Sequence, residues 1–173
     1  MGRSSALRRS AHSHVVQLVV RHCVRALLVD DAERLLLLRG ESHGEGFWFA
    51  IGGGIEPGET AVQALIREVR EETGVRLPAG VALSEVWHRR HVVPWCGRMH
   101  DLRERWFLVR VPAVDVDTSG FTETERDMVT GHRWWTLDDL ACTSERLTPA
   151  DLAERLARLL RNGPPSAPVE VGV

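Results

Sequence analysis

Glu68, Glu71 and Glu72 fall within five consecutive residues, and they are the residues of this chain best suited to chemistry. On a helix turning by about 100° per residue, the three carboxylates project within about 100° of one another. Glu68 and Glu72 stand at i,i+4, where like charges cost about 0.2–0.5 kcal/mol. They also crowd the end of a helix that stops at Gly74, where the helix dipole disfavours anions. Two readings stand open on these residues alone. One is a solvated charged face balanced by Arg67 and Arg70, with Arg67 pairing to Glu71 at i,i+4. The other is a divalent-cation site, because Mg²⁺ takes carboxylate oxygens, keeps several waters and bridges to phosphates.

The preceding loop favours the second reading. Gly52-Gly53-Gly54 lets backbone approach a ligand closely. Glu56-Pro57-Gly58-Glu59 makes a tight turn that brings Glu59 close to the helix start, from where its carboxylate can orient Arg67 or bound waters.

Several elements must position these groups. The helix is expected over residues 60–73: Thr60 and Gln63 match a capping box, Val62, Leu65, Ile66 and Val69 follow helical spacing, and Gly74 supplies the stop. Upstream, residues 15–29 and 34–39 read as a hairpin of apolar strands turning at residues 30–33. Their near-continuous apolar runs suit strands buried on both faces. A short strand is expected at 47–51, and further strands at 82–94, 104–111 and 132–137. Residues 112–131 read as a polar loop, 138–140 as a helical turn capped by Thr136, and 149–160 as an amphipathic helix. One domain over residues 15–162 is expected, between a disordered basic tail at 1–14 and a loose proline-containing tail at 163–173. Strands, helix, strands, helix is not a regular βαβ alternation, so a mixed sheet with helices on its faces is favoured.

With these residues in place, the sequence resembles the Nudix family. The family's box is G-x5-E-x7-R-E-U-x-E-E-x-G-U, with U a bulky aliphatic. Gly53, Glu59, Arg67, Glu68, Val69, Glu71, Glu72, Gly74 and Val75 fill every fixed position. The resemblance implies an α/β fold of the Nudix type, an α/β/α sandwich around a mixed β-sheet. It implies hydrolysis of a nucleoside diphosphate linked to another group, with Mg²⁺ as cofactor and Mn²⁺ able to substitute. It also implies Glu68, Glu71, Glu72 and the Gly52 carbonyl as metal ligands, with Arg67 orienting the carboxylates and Glu59 supporting it. Many members bring one more carboxylate from a loop before the last strand. That loop holds Glu123, Glu125 and Asp127 here, and Glu125 is the expected ligand. Glu68 and Glu71 are the candidates for taking a proton from the attacking water.

The substrate-reading residues lie outside the box. Phe47, Trp48, Trp87, Trp95 and Trp106 are candidates for stacking on a base, with core packing as the alternative for each. Arg39, Arg103 and Arg105 are candidates for contacting phosphate. The tyrosine common in the family's diadenosine-polyphosphate enzymes is missing, since the chain has no tyrosine. The proline of the ADP-ribose type is off position at Pro94. A (d)NTP or a nucleotide-sugar or ADP-ribose-like substrate remains, with a nucleotide-sensing domain without catalysis as the alternative. Isomerisation of isopentenyl diphosphate, another reaction of this fold, needs a cysteine in a context that Cys23 and Cys96 do not offer.

Composition narrows the classes further. All 22 basic residues are arginine, which excludes Schiff-base chemistry and a P-loop lysine. The net charge of −2 offers no global basic field, so no specific nucleic-acid partner is indicated. No apolar run approaches the ~20 residues of a membrane span. Three cysteines without a CxxC pair fit a reducing cytoplasm. A homodimer is left open, because no patch in the sequence decides it.

Overall fold

The computed structural model describes residues 18–42, 44–95 and 97–172. The basic segment 1–14 and the side chain of Trp95 lie outside the described residues. The chain runs β1 (Val19–Val29), β2 (Leu35–Ser42), β3 (Glu45–Ala50), α1 (Ala61–Thr73), β4 (Leu83–Trp95), β5 (Arg98–Arg110), α2 (Glu123–Met128), β6 (Val129–Trp135), α3 (Leu137–Cys142), β7 (Arg146–Thr148), α4 (Leu152–Asn162) and β8 (Val169–Val171).

The apolar strands are buried on both faces, and side-chain alternation divides them between two cores. Val24, Ala26 and Leu28 of β1, with Leu36 and Leu38 of β2, pack against Ala61, Ala64, Leu65 and Val69 of α1. Leu27, Val29, Leu35 and Leu37 face the other way, toward Leu140 of α3 and Leu152, Leu156 and Leu159 of α4. Helices thus cover both faces of one mixed sheet, which is the expected α/β/α sandwich. Burial of each such leucine contributes roughly 1.5–3 kcal/mol.

The sheet order is β7-β3-β2-β1-β5-β4-β8, with β6 pairing β2 off this path. β1 and β5 run parallel from Val19↔His100 to Val29↔Arg110. The hairpin is present, but β1 and β2 pair only at Val29↔Leu35. Asp30 holds the turn, its carboxylate accepting from the Ala32 and Arg34 amides. Beyond it the strands part, and the glycine loop occupies the β1 edge so freed. Val24 N–H donates to Gly53 O, Ala26 N–H to Ile51 O, and Ile55 N–H to His22 O. The loop of the site is therefore held like a strand.

Three expectations are corrected. Residues 112–131 are not all loop: Thr122 opens α2 with a capping box completed by Glu125. The tail from Gly163 is not wholly loose, because Val169–Val171 pairs in parallel with β4 and buries Val171. The three-residue β7 pairs with β3 where no strand was expected. Segments this short carry too few residues to show a period. Among the described residues, no helix is long and apolar enough to cross a membrane.

Candidate active site

The α1 helix forms where its sequence signals place it. The Thr60 hydroxyl accepts from Gln63 N–H, the Gln63 side chain answers the Thr60 amide, and Gly74 closes the helix at φ 73°. Its apolar face against the sheet turns Glu68 and Glu72 inward, both buried, and leaves Glu71 a third exposed.

Arg67 gathers the surrounding groups. Its guanidinium donates to both Glu59 oxygens at 3.0 and 2.9 Å, to Glu68 at 2.7 Å, to Glu71 at 3.2 Å and to the Gly54 carbonyl at 2.9 Å. Glu59 thus grips Arg67 in a two-pronged pair, the geometry in which arginine binds carboxylate best. The same arginine holds the Glu59 carboxyl below its ordinary pKa.

The glycine loop contributes backbone. Gly52 N–H donates to Glu72 Oε2 at 2.6 Å in a buried bond. Gly52 has φ 134°, and a Cβ there would stand 2.1 Å from the Val24 carbonyl oxygen, so only glycine fits. A Cβ on Gly53 would meet the Glu68 carboxylate at 2.5 Å, so the loop lies directly on the acid. The Gly52 carbonyl accepts from Arg25 at 2.7 Å.

The loop after β5 brings the remaining acid. Asp117 N–H donates to Thr73 O at 2.9 Å, and Gly120 packs so closely that a Cβ would stand 2.4 Å from the Glu71 carbonyl oxygen. This docking carries α2 to the end of α1. There Glu68, Glu72 and Glu125 come together, each offering an oxygen within 4.8 Å of the others. One Glu125 oxygen also accepts from the Thr122 amide at 2.7 Å.

This arrangement concentrates negative charge away from water. Burial pushes the Glu72 carboxyl up to about 8, with Glu68 and Glu125 adding to it and the Gly52 N–H and Arg25 opposing. Burial likewise raises Glu68 despite the adjoining Arg67. Three converging carboxylates that repel one another suit a hard divalent cation, and all-oxygen donors are what Mg²⁺ and Mn²⁺ prefer.

The other candidate residues are placed as follows. Glu71 lies outside the three-carboxylate group and pairs with Arg67 and Arg70. Glu123 and Asp127, on α2 beside Glu125, are exposed. Trp48 is buried in the core on the α4 side, meets Trp135 edge-on at 5.0 Å and donates its indole N–H to Glu145. Trp87 and Trp106 are buried in the same core, leaving no open face for a base. Phe47 is half-buried against Phe49. Arg39 bonds Thr130 and lies 3.8 Å from Glu145. Arg105 is tied to both oxygens of Glu85 at 2.6 Å, and Arg103 pairs with Asp101.

Sequence reasoning missed Arg25 and Glu104, which join at 2.9 Å beside the Gly52 carbonyl. The available signal was a charged residue at an inward position of an otherwise apolar strand.

Comparison with known proteins agrees with this geometry. A model of the NUDIX domain matches residues 20–161. The RNA pyrophosphohydrolase of Roseobacter denitrificans is 31% identical over 134 residues, covering 73% of this chain and 82% of that protein. The crystal structure of the MutT protein from Methanosarcina mazei Go1 superposes with a TM-score of 0.62 at 20% identity, covering 84% of this chain and 99% of that one. The E. coli dihydroneopterin triphosphate pyrophosphohydrolase gives 0.61 at 21% identity, over 84% of this chain and 99% of that one. With a complete box laid along a capped helix, and a domain match running from β1 to α4, the chain belongs to the Nudix family and is a hydrolase of phosphorus-containing anhydrides.

Proposed function

We propose that the protein is a Mg²⁺-dependent pyrophosphohydrolase acting on a nucleoside 5′-polyphosphate, with Mn²⁺ able to replace Mg²⁺. The observation that carries this reading is the meeting of Glu68, Glu72 and Glu125 within 4.8 Å, two of them buried. In this reading those carboxylates, with the Gly52 carbonyl, would hold the metal. A bound metal would neutralise phosphate oxygens and lower the pKa of an attacking water. Arg67, clamped by Glu59, holds Glu68 and Glu71 together on one guanidinium nitrogen and so orients both. Glu71, a third exposed and outside the three-carboxylate group, is the group proposed to accept the proton from water.

Within this class a (d)NTP, a nucleoside carrying a terminal pyrophosphate, is the first substrate to test, with a nucleotide sugar or an ADP-ribose-like compound beside it. A second reading, the 5′-triphosphate end of an RNA, is favoured by the relatives that carry the name RNA pyrophosphohydrolase. Both carry a 5′-polyphosphate anhydride that the same three carboxylates would meet. The test is a panel of NTPs, dNTPs, ADP-ribose, a nucleotide sugar and a 5′-triphosphorylated oligonucleotide, each with Mg²⁺, Mn²⁺ or EDTA. Released phosphate is scored after adding pyrophosphatase. Metal-dependent turnover of NTPs or of the oligonucleotide is expected. Tight binding without turnover of any of them would instead mark a nucleotide sensor.

A further inference from the structure

We propose that Arg25, held by Glu104, is a positioning residue that sets the Gly52 carbonyl and, through Gly52, the Glu72 carboxylate for metal binding; this rests on the metal-dependent reading above. Arg25 lies on the inward side of β1, facing the α4 core. Its Nε donates to Glu104 Oε1 at 2.9 Å, while Nη1 donates to Gly52 O at 2.7 Å and reaches Ala50 O at 3.5 Å. The Gly52 N–H donates to Glu72 at 2.6 Å. The two bonds therefore hold Gly52 from both flanking peptide groups: Arg25 fixes the carbonyl on one side, and Glu72 takes the amide on the other. Glycine takes φ 134° without a Cβ penalty but takes many other conformations as readily, so its surroundings must select this one. Here the determinants are the β1 backbone and the Arg25 fork.

A guanidinium beside a cation site needs its charge balanced, and Glu104 supplies the balance. It is 3% exposed and accepts from Arg25, from the Trp106 indole at 3.2 Å and from Arg89 at 3.5 Å. Burial opposes its ionisation, but Arg25, His91 and Arg89 outweigh that and keep its carboxyl below the ordinary value. With the ion pair in place, Arg25 occupies one lone pair of the Gly52 carbonyl and leaves the second available. Lysine cannot reproduce this, because its single ammonium cannot span Glu104 and Gly52 with the fixed geometry of a planar fork.

The experiment measures Mn²⁺ binding to the folded protein by electron paramagnetic resonance, alongside thermal melting. The parent is compared with Arg25→Lys and with Arg25→Met, which leaves Glu104 paired with Arg89 at 3.5 Å so that no charge is stranded in the interior. Outer partners of metal ligands are worth about 10–100-fold in metal affinity, and a loss of that size is expected in both variants while each still melts cooperatively. Mn²⁺ affinity within twofold of the parent in either folded variant, whatever the shift in melting temperature, overturns the positioning role. Parent protein that binds no Mn²⁺ overturns the metal reading itself, and the proposal with it.

Discussion

Individual side chains at the site do separable jobs, and substitution distinguishes them. Glu72 is buried, bonded to the Gly52 amide, and pushed up to about 8 by its surroundings. Glu72→Gln keeps the shape and the acceptor oxygen but loses the charge. We expect it to lower turnover by at least about 10²-fold, the scale of a lost charge-stabilising group in a catalytic site. The melting temperature of the metal-free protein should be unchanged or raised, because burial already disfavours the charged form that glutamine cannot adopt. Normal turnover of the purified variant in Mg²⁺ would sink its assigned role. Gly52 is constrained differently. Gly52→Ala forces a Cβ to 2.1 Å from the Val24 carbonyl oxygen at a positive φ. Backbone strain of that kind costs about 1–3 kcal/mol, and the clash adds to it. Both melting temperature and activity should fall, in contrast with Glu72→Gln.

Among the secondary-structure elements, α2 is the informative one. Glu125 completes the capping box of α2 and also joins Glu68 and Glu72. Thr122→Ala removes the cap but keeps the carboxylate, at a cost of about 1 kcal/mol. Glu125→Ala removes the carboxylate and its half of the box, while the Thr122 hydroxyl still accepts from the backbone N–H of residue 125. If α2 serves only as packing, the two variants should behave alike in turnover. We expect Thr122→Ala to stay within a few-fold of the parent and Glu125→Ala to lose most of its rate, at similar melting temperatures. The α1 helix shows why a functional element can break local rules. Its three acids lie against the dipole and against each other, yet its capping box, glycine stop and apolar face hold it in place.

For the whole molecule, the proposed metal site would link stability to metal. A ligand that binds only the folded state at a hundred times its dissociation constant stabilises by about 2.7 kcal/mol. Saturating Mg²⁺ should therefore raise the melting temperature by about 2–4 °C per kcal/mol for a domain of this size. EDTA should reverse that, and Glu72→Gln should show less of it. Acid stability has a separate source at the β1–β2 turn. Burial works against the Asp30 carboxylate, but Arg34 and two backbone amides outweigh it and hold the carboxyl below its ordinary value. A carboxyl with a depressed folded pKa stabilises fully above its unfolded value, about 3.9, and the contribution is lost as pH falls through the folded value. Asp30→Asn should thus melt lower than the parent at neutral pH, and the gap should close as pH drops below about 3.9.

How much was legible in the sequence followed the range of the interactions. The extent of α1, its cap and stop, the pairing of Glu59 with Arg67 and the two-faced sheet were readable, because helical and strand periods act between residues a few positions apart. Family membership was readable for the same reason, since the box lies within residues 53–75. Glu125 could be nominated, but only the docking of Asp117 and Gly120 on the end of α1 selected it over Glu123 and Asp127. Glu71 was grouped with Glu68 and Glu72 by helical angle, but the buried face of α1 takes in Glu68 and Glu72 and leaves Glu71 a third exposed, outside their cluster. Trp48 and Trp87 were candidates for stacking, with core packing the favoured alternative, and strand register turned them into the core on the α4 side. Arg25 and Glu104, 79 residues apart, meet because β1 and β5 align in parallel, with Cys23 opposite Glu104. By itself, then, the sequence determined the acidic helix and the class of reaction, which rest on local spacing. Only the tertiary structure decided which distant groups complete the site, because sheet register and helix docking set those contacts and neither is written in any short stretch of chain.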